Sequence, residues 1–395
     1  MNLNLLRLSS LFLIFTSLSL QIDAQGSWNP ITRCFQDVNG QCVPNTLLSA
    51  VPFLRIVPDA VGGAMGDAGV ATNANASSLH YNASKIAFAD SDSEFAASYT
   101  PWLRNLGLND VYMAYLSGYK KIDDLQSFGF DFKYFSLGDI TFTDVNGGII
   151  GQGRPRELEV GVAYARKLSP KFSASVGASY IYSNLASGQM VGGVVISAGT
   201  AFAADLGVTY NSNPDLAGPG VNWSWGAAIT NLGSKVSYTN SATKDFIPTN
   251  LGLGVAMKRN IDEYNSFTLT MDINKLMIPT PDTTATAEFR DKGTFAGIFG
   301  SFSDAPGGLK EEIQELAFSF GAEYWYDNQF AVRAGYYYEH PLKGDRQYLT
   351  VGIGLKYNVF GFDLAYLAPT SAQRSPLDNT LRFTFTWGLT PPDGR

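Results

Sequence analysis

The chain alternates apolar and polar side chains over many short segments. The last of them reads N-T-L-R-F-T-F-T-W-G-L, from Asn379 to Leu389. Successive side chains of a strand point to opposite sides, so this segment has one apolar and one polar face. The apolar face carries Leu381, Phe383, Phe385 and Trp387, and the polar face carries Arg382, Thr384 and Thr386. The same period recurs at 172–182, 251–255, 267–273, 330–336, 349–355 and 360–366.

Strands with two such faces are typical of a wall between lipid and a wet lumen. A tilted strand crosses a bilayer in about 9 to 11 residues, and its lipid-facing side chains alternate with polar ones that face the lumen. With weaker segments included, the pattern predicts an all-β fold, a transmembrane antiparallel β-barrel of about fourteen strands. The predicted strands are 93–102, 111–120, 127–137, 157–168, 171–184, 197–211, 222–233, 250–259, 265–276, 316–326, 329–339, 347–357, 360–368 and 380–388.

The connections between these strands alternate in length. Short ones include Ser169-Pro170, Asp327-Asn328 and Asn358-Val359. Barrels of bacterial outer membranes have short periplasmic turns and longer extracellular loops. An even number of strands then places both termini in the periplasm. The long connections, predicted to be extracellular, are 138–156, 185–196, 234–249 and 277–315.

The N-terminus has the features of a secretory signal. Arg7 precedes an apolar core from Leu8 to Leu20, and Ile22-Asp23-Ala24 offers a cleavage site. No later apolar run reaches the roughly 20 residues of a spanning helix, so the periodicity favours the outer membrane of a Gram-negative cell. We expect a signal peptide at 1–24, an N-terminal extension and plug at 25–92, the barrel at 93–388 and a periplasmic tail at 389–395.

Composition agrees with a membrane barrel. The chain is 45% hydrophobic and only 16% charged, with 40 glycines and 20 tyrosines. Alternating lipid-facing and lumen-facing positions produce this mixture. The net charge of -7 and the absence of a basic run argue against a nucleic-acid partner.

The cysteines and histidines offer little chemistry. Cys34 and Cys42 are the only cysteines, and an oxidising compartment favours a local disulfide over metal ligation. His340 follows Glu339 near a strand end, where a membrane-embedded esterase could place a histidine, but no nucleophile motif accompanies it. His80 lies in the predicted plug, where a structural hydrogen bond is the favoured role. We therefore expect no catalytic site, no metal site, no cofactor and no enzymatic activity.

The longest connection, 277–315, is not uniformly polar. Such a loop is usually functional or disordered, and this one has an amphipathic turn in which Leu309, Ile313 and Leu316 share a helical face. It could pack on its own barrel or bind a partner. Apolar residues of the long loops are our candidates for partner binding: Ile149, Ile150, Met190, Val191, Met277, Ile278, Phe295 and Phe299.

A glycine-rich segment, Val57 to Val70, precedes the first strand. Glycines at this density allow close backbone approach. Dinucleotide binding is excluded, since no buried strand leads into the segment and no crossover unit follows. Its resemblance to a known family of barrels implies that it acts as a plug, with contributions from Asp59, Gly63, Met65, Gly66 and Asp67.

This region resembles a known family. The string M-G-D-A-G-V-A-T-N-A-N-A-S-S-L-H-Y-N-A-S-K-I-A-F-A, Met65 to Ala89, is similar to the N-terminal plug of FadL-like outer-membrane barrels. The string A-V-P-F-L-R-I-V-P-D-A, Ala50 to Ala60, resembles one branch of them, the PorV (LptO) family of the type IX secretion system. Two further matches are 321–326 and 330–339, so the resemblance spans nearly the whole mature chain.

The chain departs from that family at two positions. Val61 stands where the family usually has arginine, and Asn82-Ala83-Ser84 replaces its usual Asn-Pro-Ala. Roles that depend on that arginine or that proline are not expected here.

The resemblance implies a barrel without chemistry that captures the C-terminal signal domain of a secreted cargo protein at its extracellular face. Its partners would be the type IX translocon barrel, the cargo signal domains, the surface attachment complex and outer-membrane lipid. The alternative is a FadL-like channel for hydrophobic small molecules. The side chains predicted to face the lumen are polar, which weighs against a hydrophobic ligand. These positions are Ser173, Ser175, Thr268, Thr270, Asp272, Arg333, Lys356, Asp363 and Arg382.

Overall fold

In the described part of the chain, fourteen long strands close into one antiparallel barrel. The computed structural model describes residues 27–29, 34–36, 40, 42–43, 47–103, 107–143, 146–191, 194–216, 218–239, 244–281, 289–306, 308–371 and 379–389. Each strand pairs with the next along the chain, and the last pairs with the first. The strands are β1 Ser93–Pro101, β2 Val111–Lys121, β3 Gln126–Leu137, β4 Arg156–Ser169, β5 Phe172–Asn184, β6 Gly199–Asn211, β7 Gly220–Gly233, β8 Asn250–Asn260, β9 Asn265–Leu276, β10 Leu316–Tyr326, β11 Phe330–Tyr338, β12 Gln347–Tyr357, β13 Phe360–Pro369 and β14 Leu381–Leu389.

The predicted fold class is confirmed, and each strand begins and ends close to its predicted limits. Strand β14 shows the two faces clearly, with Arg382 and Thr384 buried in the lumen and Phe385 60% exposed on the outside. Because the barrel is closed, no sheet edge is left in the lipid. No helix in the described residues is long and apolar enough to cross a membrane.

One end of the barrel carries short turns and the other carries long loops, as the alternation predicted. We call them the short-turn end and the long-loop end. Two long loops contain hairpins, Ile140–Thr143 with Ile149–Gly153, and Met190–Val191 with Val194–Val195. The loop after β9 contains a 3-10 turn at Phe289–Asp291 and two short helices, and a further 3-10 turn spans Pro341–Lys343.

The segment before β1 fills the lumen. It consists of a 3-10 turn at Pro52–Arg55, helix α1 at Ala60–Ala64, helix α2 at Ser78–Tyr81 and a 3-10 turn at Ala83–Phe88. Helix α1 packs on β12 and β13. Farther upstream, a small sheet joins the short strands Ser27–Asn29, Cys34–Gln36 and Cys42–Val43.

This segment runs through the lumen from the long-loop end to the short-turn end. The Ala50 amide donates to the Phe246 carbonyl in the loop after β7 (2.8 Å). Farther along, the Ala76 amide donates to Glu94 at the start of β1 (2.9 Å), and Ser127 at the start of β3 donates to the Ile86 carbonyl (3.1 Å). Barrel parity places the first and last strand ends at the short-turn end, whereas the described plug segment begins at the long-loop end; the periplasmic location of the termini stays a prediction. Strand counting cannot tell from which end a preceding segment enters the lumen.

Candidate functional site

The long loop after β9 presents aromatic side chains from a short helix. Helix α3 spans Thr294–Gly300; it buries Gly297 and Ile298 and exposes Phe295 (66%) and Phe299 (54%). Positions four residues apart share one face of a helix, so the two rings lie side by side on the outer face. Gly297 is required below them, because a Cβ there would come within 2.5 Å of the Phe246 ring.

The next helix in this loop has its charged face inward. Helix α4 spans Leu309–Gln314. Glu312 and Glu315, which follows the helix, are buried, whereas Leu309 (77%) and Ile313 (56%) are exposed. A surface helix normally turns its apolar stripe toward the core. The inverted arrangement leaves an apolar surface facing solvent, which is costly without a partner.

Buried ion pairs hold α4 on the barrel. Lys275 at the end of β9 lies 2.9 Å from Glu312 and 2.7 Å from Glu315. Lys343 lies 2.6 Å from Glu311 and 3.1 Å from Glu315. Removing either lysine would leave buried carboxylates without full charge compensation. Helix α4 is therefore fixed before any partner binds, and this lowers the ordering cost of binding.

Both helices of this loop expose apolar side chains. Phe302, 45% exposed, follows α3, and its ring lies 5.6 Å from the Lys275 ammonium that also binds α4. The Ala305 amide donates to Glu312 (3.0 Å), which ties the connection between the helices to the same cluster. We call the outward side chains the helical face: Phe295, Phe299, Leu309 and Ile313.

The other candidate loop residues divide into exposed and buried ones. Ile149 (73%) and Met190 (66%) are exposed on the two loop hairpins. The side chains of their neighbours Ile150 and Val191 lie outside the described residues.

Met277 and Ile278 are buried, which contradicts their prediction as presented groups. They pack with Phe246, Leu276 and Ile298 into a small core beneath α3. An apolar pair at the start of a loop does not reveal whether it turns toward the barrel. The loop thus packs on its own barrel through one set of apolar residues and exposes another.

The predicted plug residues all lie in the lumen. Asp59 caps α1 by accepting from the Gly62 amide (2.9 Å), and it also accepts from the Tyr81 hydroxyl (2.7 Å). Met65 is buried, and a Cβ on Gly63 would lie 2.6 Å from the Arg382 guanidinium.

Asp67 connects the plug to the wall. It accepts from the Tyr348 hydroxyl and lies 3.4 Å from the Arg382 guanidinium. Burial raises the pKa of Asp67, and this rise is opposed by the charge of Arg382 and the hydrogen bond from Tyr348.

Several wall residues that hold the plug were not predicted to do so. Asp272 of β9 accepts from the amides of Gly69 (2.6 Å) and Val70 (2.8 Å). Thr350 of β12 accepts from the Gly66 amide and donates to the Ala64 carbonyl, both at 2.9 Å. Their inward direction follows from strand period, but their plug partners are too distant in sequence to be inferred from it.

Polar cavities remain in the described part of the lumen, and two of them lie toward opposite ends of the barrel. One of about 110 Å³ lies toward the long-loop end and is lined by charged groups that include Arg55, Glu339 and Arg346. The other, about 520 Å³, lies at the short-turn end. Burial alone would raise the pKa of Glu339, but Arg346 and Arg55 together lower it to about 2. These charges therefore stay paired at physiological pH.

Comparison with known proteins assigns the chain to a family. The profile described as "Type IX secretion system protein PorV" matches residues 39–283, more than half of the chain. The chain belongs to the PorV family. It is therefore related to outer-membrane components of the type IX secretion system. No curated protein sequence gives a match.

Solved structures of the FadL-type barrels are also similar. The toluene transporter TbuX of Ralstonia pickettii is 13% identical, with a TM-score of 0.48 and coverage of 84% of this chain and 98% of that one. The P. putida toluene transporter TodX is 13% identical, with a TM-score of 0.49 and coverage of 84% of this chain and 99% of that one. A Pseudomonas aeruginosa FadL homologue is 8% identical, with a TM-score of 0.44 and coverage of 87% of this chain and 99% of that one. Likeness at this level carries no argument about what this PorV-family chain transports.

The departures from the PorV family pattern lie in the plug. Val61, in place of the usual arginine, lines the cavity at the short-turn end. At the second departure, where Ala83 replaces the usual proline, the side chain of Asn82 accepts from the Ser84 amide (3.2 Å) and donates to the carbonyls of Val70 (3.1 Å) and Val208 (3.0 Å). This one amide side chain fixes the turn and ties it to the wall.

The cysteines predicted to form a disulfide lie in the small upstream sheet. In its register, Cys42 stands opposite Gln36, and Cys34 stands opposite Asn29. Their side chains lie outside the described residues, so the Cys34–Cys42 pairing stays a prediction.

Replacement of either histidine by alanine should leave function intact. His80 is held in the plug with its Nδ1 3.3 Å from the Lys133 ammonium, and burial lowers its pKa well below the usual value, so it stays neutral. His340 caps a 3-10 turn by accepting from the Leu342 amide (3.2 Å). The measurement is cargo secretion and barrel abundance in His80→Ala and His340→Ala cells. Loss of a lipid deacylation product in His340→Ala at unchanged barrel abundance would instead support an esterase.

Proposed function

We propose that this chain is a cargo shuttle of the type IX secretion system. It binds the C-terminal signal domain of a secreted protein at its long-loop face and delivers it from the translocon barrel to the surface attachment complex. Membership in the PorV family supports the assignment to this secretion system. The observation that carries the binding role is the helical face, an apolar surface on a loop that buried ion pairs hold in place.

The chemistry of this face suits a folded protein partner. Aromatic anchors on a rigid support supply most of the binding free energy in protein interfaces, because little conformational freedom is lost when they are covered. Phe295 and Phe299 are such anchors, and Leu309 and Ile313 extend the surface. A partner with a complementary apolar patch would remove all four side chains from water.

The channel alternative is less well supported by the lumen. A pocket for hydrophobic molecules is lined mainly by apolar side chains. Here the wall positions Asp272, Arg333 and Arg382 are buried and charged, and the first and last of them contact the plug. Passage of a ligand would require breaking these contacts.

The double variant Phe295→Ser/Phe299→Ser should reduce cargo binding by about tenfold or more, since a loss of about 1.4 kcal/mol is tenfold in affinity. The assay is co-purification of C-terminal signal domains with the detergent-solubilised barrel, quantified by mass spectrometry. Ile122→Ser is the matched control, because Ile122 is 63% exposed in a short turn at the opposite end.

Three results would contradict the shuttle. If the double variant retains cargo at the wild-type level, the helical face does not bind the cargo. Reduced membrane insertion of the double variant would identify that face as a lipid contact. Loss of uptake of a hydrophobic compound in a lumen variant such as Asp272→Asn, with cargo retention unchanged, would favour the channel.

A further inference from the structure

The outer wall of the barrel carries an apolar groove where the last strand pairs with the first. Its volume is about 1020 Å³, and its lining side chains come from β1 to β3 and from β11 to β14, near the short-turn end. On one side the Phe95 and Phe130 rings lie 6.1 Å apart, and on the other the Phe362 and Phe385 rings lie 4.8 Å apart. Trp387, 49% exposed, also lines the groove.

Two small residues on the outward face create this groove. A Cβ on Gly118 of β2 would come within 2.7 Å of the Phe95 ring and 3.0 Å of the Phe130 ring, so both rings lie over this glycine. Ala97 of β1 is exposed and stands opposite Phe385 across the seam between the first and last strands. Rings that lie over β2, beside a position that carries only a methyl group, leave a depression in the wall.

The groove has a cationic edge toward the short turns. Among the described residues that line it, Lys356 is the only charged one. Lys120 flanks the other side, because it is exposed two residues beyond Gly118 on the same face of β2, opposite Ser93 and Phe128. A lysine ammonium binds phosphate as a point charge, and basic residues at a membrane surface attract anionic lipid. An apolar groove with this edge matches a molecule that has acyl chains and an anionic headgroup.

We propose that the groove binds one anionic phospholipid of the periplasmic leaflet, with its acyl chains between the two aromatic sides and its phosphate at Lys120 and Lys356. The strands that form the groove cross the bilayer, so it opens to acyl chains and not to water. The choice of leaflet rests on the short turns being periplasmic, as their length predicts. The site lies at the opposite end from the helical face and does not depend on the cargo-binding role.

Trp387 reports on the groove directly. The purified barrel is placed in phosphatidylcholine vesicles with a rising minor fraction of phosphatidylglycerol whose brominated acyl chains quench tryptophan on contact. Trp223 and Trp225, 43% and 47% exposed near the short-turn end of β7, report on ordinary wall lipid. We expect half-maximal quenching of Trp387 at about a tenfold lower fraction of brominated lipid. The two signals are separated by Trp387→Phe and by Trp223→Phe/Trp225→Phe, and equal quenching of both would overturn the site.

Ala97→Phe should fill the groove and remove the selective quenching of Trp387. The added ring faces lipid, so the heat-modifiable barrel should remain. Ala178→Phe is the matched control, because Ala178 is likewise exposed on the outward face, on β5, and it should leave the selectivity unchanged. Selective quenching that survives Ala97→Phe would overturn the groove as the lipid site. If Ala97→Phe also removes a protein that co-purifies with the wild type, the groove is a protein contact instead.

The headgroup contact is tested by Lys120→Gln/Lys356→Gln. We expect this variant to need about a tenfold higher fraction of brominated phosphatidylglycerol for half-maximal quenching of Trp387. Lys171→Gln/Lys258→Gln removes the same charge near the short-turn end, outside the groove, and should keep the wild-type curve. Equal curves for the two double variants would overturn the assignment of the phosphate to Lys120 and Lys356.

Discussion

Gly66→Ala should strongly reduce the amount of folded barrel. Gly66 has φ +67, and an added Cβ would lie 2.6 Å from the Phe320 carbonyl oxygen and from the Tyr336 backbone. Left-handed backbone costs a residue with a side chain about 1–2 kcal/mol. Overpacking against backbone adds about 1–3 kcal/mol, since neither strand can shift within a closed wall. The measurement is the heat-modifiable fraction on unheated gels of outer membranes.

Gly188→Ala is the matched control for this prediction. Gly188 also has positive φ (+84), but no atom lies within 4 Å of an added Cβ. It therefore carries the backbone strain without the collision. Equal folded fractions in the two variants would show that plug packing at Gly66 does not limit barrel assembly. Gly63→Ala should have an intermediate effect, because its Cβ would meet the Arg382 side chain, which can move.

Lys275→Gln should release the long loop from the barrel mouth. This change leaves the buried carboxylates of Glu312 and Glu315 with Lys343 as the remaining cation of the cluster. Breaking a buried pair by removing one partner costs about 3–5 kcal/mol. We expect α4 to detach while the barrel stays closed, since β9 keeps its backbone pairing with β8 and β10. Limited proteolysis should then cut within 277–315, and cargo retention should fall.

Lys310→Gln removes the same charge from an exposed position on the same helix. It should leave proteolysis and cargo retention unchanged, because surface charges contribute about 0–1 kcal/mol. If Lys275→Gln leaves the loop as protease-resistant as the wild type, the ion pairs do not hold it. If the loop is cut but cargo retention stays normal, a preformed helical face is not needed for binding.

The sequence by itself determined the barrel. A period of two sets which side chains face lipid and which face the lumen, and this local property does not depend on distant contacts. The prediction therefore placed Arg382 and Asp272 inward correctly, and it located the strands and the alternation of short and long connections. The glycine-rich string was likewise recognisable as a plug from its resemblance to FadL-like barrels, and its glycines allow the close backbone approach that Gly66 makes to β10 and β11.

Tertiary structure decided how the candidate site is presented. Leu309 and Ile313 share a helical face in the sequence, but long-range ion pairs turn that face outward. Lys275 pairs with Glu312 and Glu315, 37 and 40 residues away, and Lys343 pairs with Glu311 and Glu315. Met277 and Ile278 are as apolar as Phe295, yet they turn inward because Phe246 and Ile298 complete a core around them. The direction of the plug was equally beyond the sequence, since it depends on which end of a closed barrel its partners occupy. Burial and ion pairing between distant segments leave no periodic pattern in the local sequence, so the sequence could not predict them. These contacts decided which apolar groups remain available to a partner.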